Sequence, residues 1–170
     1  VEVEAVLQCS GNGRALFRPR MPGLQWQRGA MGNALWRGVR LGDVLEKAGP
    51  EKSAKHLILQ GADRGLLPTT PTFIRSIPIE KALHPDTLIA THMNGAPLMP
   101  SHGFPARLVV PGWVADDWIK WLSKLTLSET EGEGFFIEKA YRFPDPPGAP
   151  GEAVPPERMK HMTRMRVKSV

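Results

Sequence analysis

The sequence is short of sulfur and of phenols: it holds one cysteine, Cys9, and one tyrosine, Tyr141, among 170 residues. A lone cysteine excludes an internal disulfide framework and any cysteine-rich zinc module, and leaves a buried thiol, a nucleophile or a single metal ligand. No apolar run is long enough to cross a bilayer, so no membrane partner is expected. No cleavable leader opens the chain, which starts directly in a strand-like pattern; the expectation is a piece of a longer protein whose export signal was removed or never included. No internal repeat is present. The basic residues are dispersed until residues 158–168 and lack interleaved aromatics, so nucleic acid is not expected as a partner. With 17 glycines and 17 prolines, a bundle of long helices is excluded and short strands joined by many turns are favoured.

What is present is ordinary for a folded domain. Hydrophobic residues make up 41% and charged residues 23%, enough for one real core in a chain of this length. The net charge of +5 suits anions of any size without choosing among them. Residues 1–8 alternate apolar and acidic side chains and predict a strand that runs into the turn Cys9-Ser10-Gly11-Asn12-Gly13. Leu41, Val44, Leu45 and Ala48 recur at helical spacing before Gly49-Pro50. Residues 56–60 read as a buried strand, 79–83 as a helical turn after Pro78, 87–93 as a strand closing at the hairpin signal Asn94-Gly95, and 107–110 as an apolar strand. Leu125 and Leu127 alternate before an acidic turn at 129–134. The prolines of 144–156 predict an extended surface segment, and the alternation in 159–170 a final edge strand. The sum is an α+β domain with mixed sheets of short strands and few short helices.

Four stretches carry groups suited to chemistry. Cys9 is followed by a Gly-Asn-Gly turn that lets main-chain amides and large groups come close, and Arg14 is placed to stabilise a thiolate. A buried structural thiol, a nucleophile served by His56, His84, His92, His102 or His161, and a thiolate ligand all stay open at this point. In Ser101-His102-Gly103-Phe104-Pro105-Ala106-Arg107, two cationic donors flank a rigid turn, which suits a phosphate or pterin-like anion; a solvated loop is the plainer reading. Trp118-Ile119-Lys120-Trp121-Leu122 on its own reads as core aromatics with a snorkelling lysine. Tyr141 stands between Lys139 and Arg142, where its phenol either donates to an oxyanion or sits half-buried with its hydroxyl in water.

In order along the chain stand Leu7-Gln8-Cys9-Ser10-Gly11-Asn12, Trp26 with Gly29-Ala30, Trp36 with Gly38 and Leu41, and Gly61-Ala62-Asp63. Ser76-Ile77-Pro78, Met93-Asn94-Gly95, His102-Gly103-Phe104-Pro105, Val110-Pro111-Gly112 and Lys120-Trp121-Leu122 follow. Taken together, from Leu7 to Tyr141, they resemble the molybdenum-cofactor domain of the sulfite oxidase family. The resemblance implies that family's fold over residues 1–143, with its N-terminal part missing, and a segment 144–170 leading to an absent C-terminal dimerisation domain, hence a homodimer for the full-length protein.

It further implies a molybdenum-molybdopterin cofactor held by Cys9, Asp63, His102, Arg107, Trp118, Ile119 and Lys120, with Cys9 as the thiolate on the metal. Arg14, Trp26 and Tyr141 are implied to line the substrate pocket, Arg14 and Tyr141 acting in catalysis. The implied reaction is oxidation of sulfite to sulfate by oxygen-atom transfer, with electrons passed to a cytochrome c-type acceptor in the periplasm. A sulfane dehydrogenase or an oxidoreductase for another oxyanion such as nitrate is the alternative within the fold; a cofactor-free fragment or basic binding module is the alternative outside it. One departure stands out. The loop Ala115-Asp116-Asp117 carries acids where relatives commonly carry glycine and a basic residue, and carboxylates beside an anionic cofactor repel it, so this loop is expected either to turn them outward or to bind the pterin differently.

Overall fold

The computed structural model describes residues 1–18, 20, 22–49, 53–144 and 159–161. In chain order the elements are β1 (Glu2–Gln8), β2 (Met31–Arg40), α1 (Leu41–Ala48), β3 (His56–Gly61), β4 (Ile74–Pro78), α2 (Ile79–Ala82), β5 (Leu88–Met93), β6 (Ala96–Pro97), β7 (Arg107–Val109), β8 (Leu122–Ser128), α3 (Phe135–Glu138), β9 (Arg142–Pro144) and β10 (Met159–His161). Single 3-10 turns lie at Arg14–Leu16, Pro100–His102 and Ala115–Asp117. The α+β architecture with few short helices follows the sequence expectation.

Two antiparallel sheets share one core. In the first, β1 pairs with β2, β2 with β5, and β5 carries both β6 and β7. In the second, β3 lies between β4 and β8. Trp36, Leu88, Leu108 and Val109 from the first sheet and Leu57, Leu59 and Ile77 from the second belong to a single buried cluster, which Leu41 and Leu45 of α1 complete. Burial of a leucine or isoleucine of this kind contributes about 1.5–3 kcal/mol. The turn chemistry works as the sequence indicates. Asn94 and Gly95 both take positive φ, 51° and 81°, which matches the twist of the β5–β6 hairpin. Gly49, at φ 67°, closes α1 in the left-handed conformation.

Two strands escape the sequence reading. β2 buries alternate residues, Ala34 and Trp36, but its glycines blur the alternation. At Gly38 the register shifts, and a side chain there would collide with the main chain of Ile89. β4 buries Arg75, Ser76 and Ile77 in succession, so it has no period of two to read. The proline segment expected after Pro144 lies outside the described residues. Of the expected final strand, Met159–His161 is described and pairs with β9; the remainder lies outside.

Beneath the loop that joins β7 to β8 is a buried ion pair. Arg75 Nε donates to Asp117 Oδ1 at 2.8 Å, both side chains having no solvent exposure, and Arg75 Nη1 donates to the carbonyl of Phe136 at 2.6 Å. One residue of β4 thus holds the 115–117 turn and α3 together. Removing one member of such a pair leaves a buried charge uncompensated, which costs about 3–5 kcal/mol, whereas an apolar replacement of both is far milder. We therefore expect Asp117→Ala to lose stability in denaturant unfolding by about that amount, and Arg75→Met/Asp117→Leu to lose clearly less.

Candidate functional site

Cys9 sits where the β1–β2 ladder ends. Gln8 pairs with Met31, the Cys9 amide donates to Ala30 O at 2.9 Å, and the chain then turns, with Asn12 N reaching Cys9 O at 3.0 Å. The Asn12 side chain pins this turn to the second strand's approach, its Oδ1 accepting from Gly29 N and Ala30 N at 3.1 and 3.0 Å. The half-buried thiol receives the amide of Gly11 at 3.4 Å, a contact that favours sulfur with negative character.

Arg14 folds back over the same turn. An added Cβ at Gly11 would lie 2.9 Å from Arg14 Nη2, and one at Gly23 would lie 2.6 Å from Nη1. The guanidinium therefore occupies a slot that only two glycines leave open, and Nη1 donates to Leu24 O at 3.2 Å.

A cavity of about 380 Å³ opens between the sheets, with Leu7, Asp63, Arg107, Asp116 and Lys120 among its lining residues. Each of these is set by a local constraint. At Gly61 the β3–β8 register shifts, and a Cβ there would stand 2.5 Å from Asp63 Oδ1 and 2.6 Å from Lys120 O, so the bare backbone lets those two walls approach. Gly103, at φ 108°, leaves the same room for the Cβ atoms of Arg107 and Lys120, each 3.1 Å from the position a side chain would take. Lys120 Nζ donates to Ser101 O at 3.1 Å and lies 4.1 Å from the centre of the Trp121 ring.

Arg107 is 5% exposed. Its Nη1 and Nη2 donate to the carbonyls of His102 and Trp118, both at 3.0 Å, and its guanidinium lies 4.9 Å from the Trp36 ring. Nε finds no partner. Burial pulls its pKa down to about 10, still far above neutral pH, so the cavity keeps a fixed positive charge.

Of the two expectations for the acids of residues 115–117, the structure removes the outward turn. Asp117 is fully buried against Arg75, and Asp116 lines the cavity with its Oδ2 buried and unpartnered. The reason is Arg75, a buried cation that draws the turn inward. Burial pushes the Asp117 carboxyl up to about 7, against the pull of Arg75. Asp116 is also raised by burial, opposed by the Ser10 hydroxyl, Arg75 and Arg14. Tyr141 is raised by burial, with Asp116 and Cys9 adding to the shift and Arg75 and Arg14 opposing it. Cys9, Arg14 and Tyr141 are not among the residues that line the cavity; Leu7 of the strand before Cys9 lines it, as does Phe73, which packs edge-on against Tyr141.

Of the residues singled out in the sequence, Asp63, Arg107, Trp118, Ile119 and Lys120 surround the cavity. Trp118 and Ile119 do so with side chains 1% and 3% exposed, packed chiefly as core. His102 is not among the residues lining the cavity; its carbonyl holds Arg107. Trp26 stays exposed and meets the Arg14 turn through its carbonyl, which accepts from Ala15 N at 3.0 Å. The sequence reading missed Arg75 and Phe73. An arginine inside the apolar stretch of residues 73–79 is the signal that marked Arg75, since a charge in such a run needs a buried partner.

The family model described as oxidoreductase molybdopterin binding domain matches residues 1–136. The chain is 39% identical over 145 residues to the mitochondrial sulfite oxidase of Drosophila melanogaster, a match covering 82% of this chain and 25% of that protein. It is 38% identical over 151 residues to the sulfite oxidase of Arabidopsis thaliana, covering 82% and 38%. The crystal structure of the sulfane dehydrogenase SoxCD from Paracoccus pantotrophus superposes with a TM-score of 0.72 at 32% identity, covering 84% of this chain and 35% of that one. The chain thus spans well under half the length of these relatives.

The glycine slot yields a structural prediction. Gly23→Ala adds a methyl group where Arg14 Nη1 now stands and strains a backbone at φ 104°, a combination that costs about 1 kcal/mol or more. A crystal structure of the variant should show the guanidinium displaced from Leu24 O; an unmoved Arg14 would refute the slot.

Proposed function

The chain belongs to the oxidoreductase molybdopterin binding domain family, and from that premise we propose that it is the cofactor-holding part of an enzyme that oxidises sulfite to sulfate and passes the electrons to a cytochrome c-type acceptor. The observation that carries this reading is the turn after Cys9, where the Gly11 amide meets the thiol and Arg14 folds back over the glycines, at the end of the strand whose Leu7 lines a cavity that also holds the buried cation Arg107. A periplasmic setting, a homodimer and a domain boundary near residue 143 belong to the same proposal, on the strength of the resemblance alone.

The residues present fit the family's molybdenum-molybdopterin cofactor. Arg107 and Lys120 offer cationic donors to a phosphate, and the buried Nε of Arg107 is a donor without a protein acceptor. The Asp63 carboxylate accepts from ring N–H groups. Cys9 supplies one soft sulfur, and among the described residues no three His, Cys, Asp or Glu side chains gather, so the remaining metal ligands would come with the cofactor. When bound, the cofactor supplies the oxygen-atom transfer and the two-electron redox change.

The chain's own groups bind and orient. Arg14 neutralises an incoming oxyanion, its guanidinium already held by Leu24 O. Tyr141, raised above its ordinary value, keeps its proton at neutral pH and donates to the oxyanion rather than repelling it. The Arg107 charge, unaffected by pH in the neutral range, serves the cofactor side.

A sulfane substrate is the second reading, favoured by the likeness to the sulfane dehydrogenase structure. The two separate in steady-state kinetics on the cofactor-loaded protein. Loss of one charge-assisted donor is worth about 1.5–3 kcal/mol, so Arg14→Gln should lower kcat/KM for sulfite about ten- to a hundredfold, and Tyr141→Phe about tenfold. Sulfite turnover unchanged in both variants, or turnover of a sulfane sulfur compound in place of sulfite, would displace the leading reading.

A further inference from the structure

Tyr141 holds a conformation that it would not choose alone. Its φ is 53°, the left-handed region, which strains a bulky residue and persists only where the surroundings over-determine it. Three groups do so. The ring meets Phe73 edge-on at 6.3 Å between centroids, lies 6.3 Å from Phe136 at a 33° tilt, and has the Arg75 guanidinium 5.2 Å from its centre. Phe73 and Phe136 also touch each other, at 4.8 Å, so the ring sits in a cage of two aromatics and a cation.

Arg75 is the member of this cage that connects it to everything else. Its Nε is fixed by Asp117 in the turn beside the cavity and its Nη1 by the carbonyl of Phe136, the cage's second aromatic. With two of its nitrogens anchored on opposite sides, the guanidinium cannot follow the Tyr141 ring; the ring must settle against it. A guanidinium over a ring face attracts it by cation–π interaction, most strongly when desolvated as here. That attraction opposes the backbone strain. Lysine cannot substitute, because an ammonium lacks the planar fork that reaches both acceptors while lying against the ring.

We propose that Arg75, braced by Asp117, is a positioning residue that holds Tyr141 in its strained conformation and so presents the phenol to the substrate pocket. This rests on the reading of Tyr141 as a pocket residue. It assigns no contact between Arg75 and substrate: the two acceptors on Arg75 belong to the protein, and its influence passes through the ring.

Because Tyr141 is the single tyrosine of the chain, its ring can be watched directly. Ring-labelled tyrosine in the cofactor-loaded chain gives one set of resonances, and in Arg75→Met/Asp117→Leu these should move toward the values of an exposed, freely turning ring. Sulfite kcat/KM should fall about tenfold, as for a lost donor, and adding Tyr141→Phe should cause little further loss. Arg75→Lys should also shift the resonances and fail to restore turnover, which covers the case in which the double variant does not fold. Unchanged tyrosine resonances in either folded variant, or a kinetic loss that simply adds to that of Tyr141→Phe, would overturn the proposal. If the resonances move while Tyr141→Phe alone leaves turnover intact, Arg75 still positions the ring and the pocket assignment of Tyr141 is what fails.

Discussion

A guanidinium taken out of water must find acceptors for its N–H groups, and among the described residues two are buried. Arg75 has no solvent exposure and Arg107 only 5%. Each charge would cost several kcal/mol if left unpaired, so the loops fold to supply oxygen. Carbonyls of His102 and Trp118 go to Arg107; the Asp117 carboxylate and the Phe136 carbonyl go to Arg75. These four acceptors come from the turn at Pro100–His102, from Asp117 and Trp118, and from α3. Arg107, Asp116 and Trp118 from the same region line the cavity.

The two arginines then divide the labour. Arg107 gives one wall a positive charge that neutral pH does not alter, and Lys120 lines the same cavity. Arg75 is paired internally, with Asp117, and organises the Tyr141 end through its place over the ring, where its charge also opposes the upward shift of the phenol. Around them, glycines are placed where backbone must pass close to a functional side chain: Gly61 under Asp63, Gly103 under Arg107 and Lys120, and Gly11 with Gly23 around Arg14. Four of the 17 glycines of the sequence serve as these clearances.

Much of this was legible in the sequence, for local reasons. The turn after Cys9, the helix closed by Gly49 and the Asn94-Gly95 hairpin each follow from residues that are neighbours in the chain. Asp63, Arg107 and Lys120 were recognisable as cofactor candidates by their motifs and do face one cavity. What stayed hidden depends on partners far along the chain. β4 is buried on both faces and pairs Arg75 with an acid 42 residues away, so neither its strand character nor its charge made sense in isolation. Asp116 and Asp117 looked misplaced beside an anionic cofactor because the cation that draws them in lies on another sheet. His102 was expected for its ring, and its main chain is what meets Arg107.

The proposed function turns on Cys9 as the protein's ligand to molybdenum, with the flanking turn presenting its sulfur. X-ray absorption at the molybdenum edge reads that bond directly, in the cofactor-loaded protein and in Cys9→Ser. The account predicts one sulfur neighbour fewer around the metal in Cys9→Ser than in the parent. An identical sulfur shell in the two proteins, or a parent chain that takes up no molybdenum under conditions that load its relatives, would contradict it.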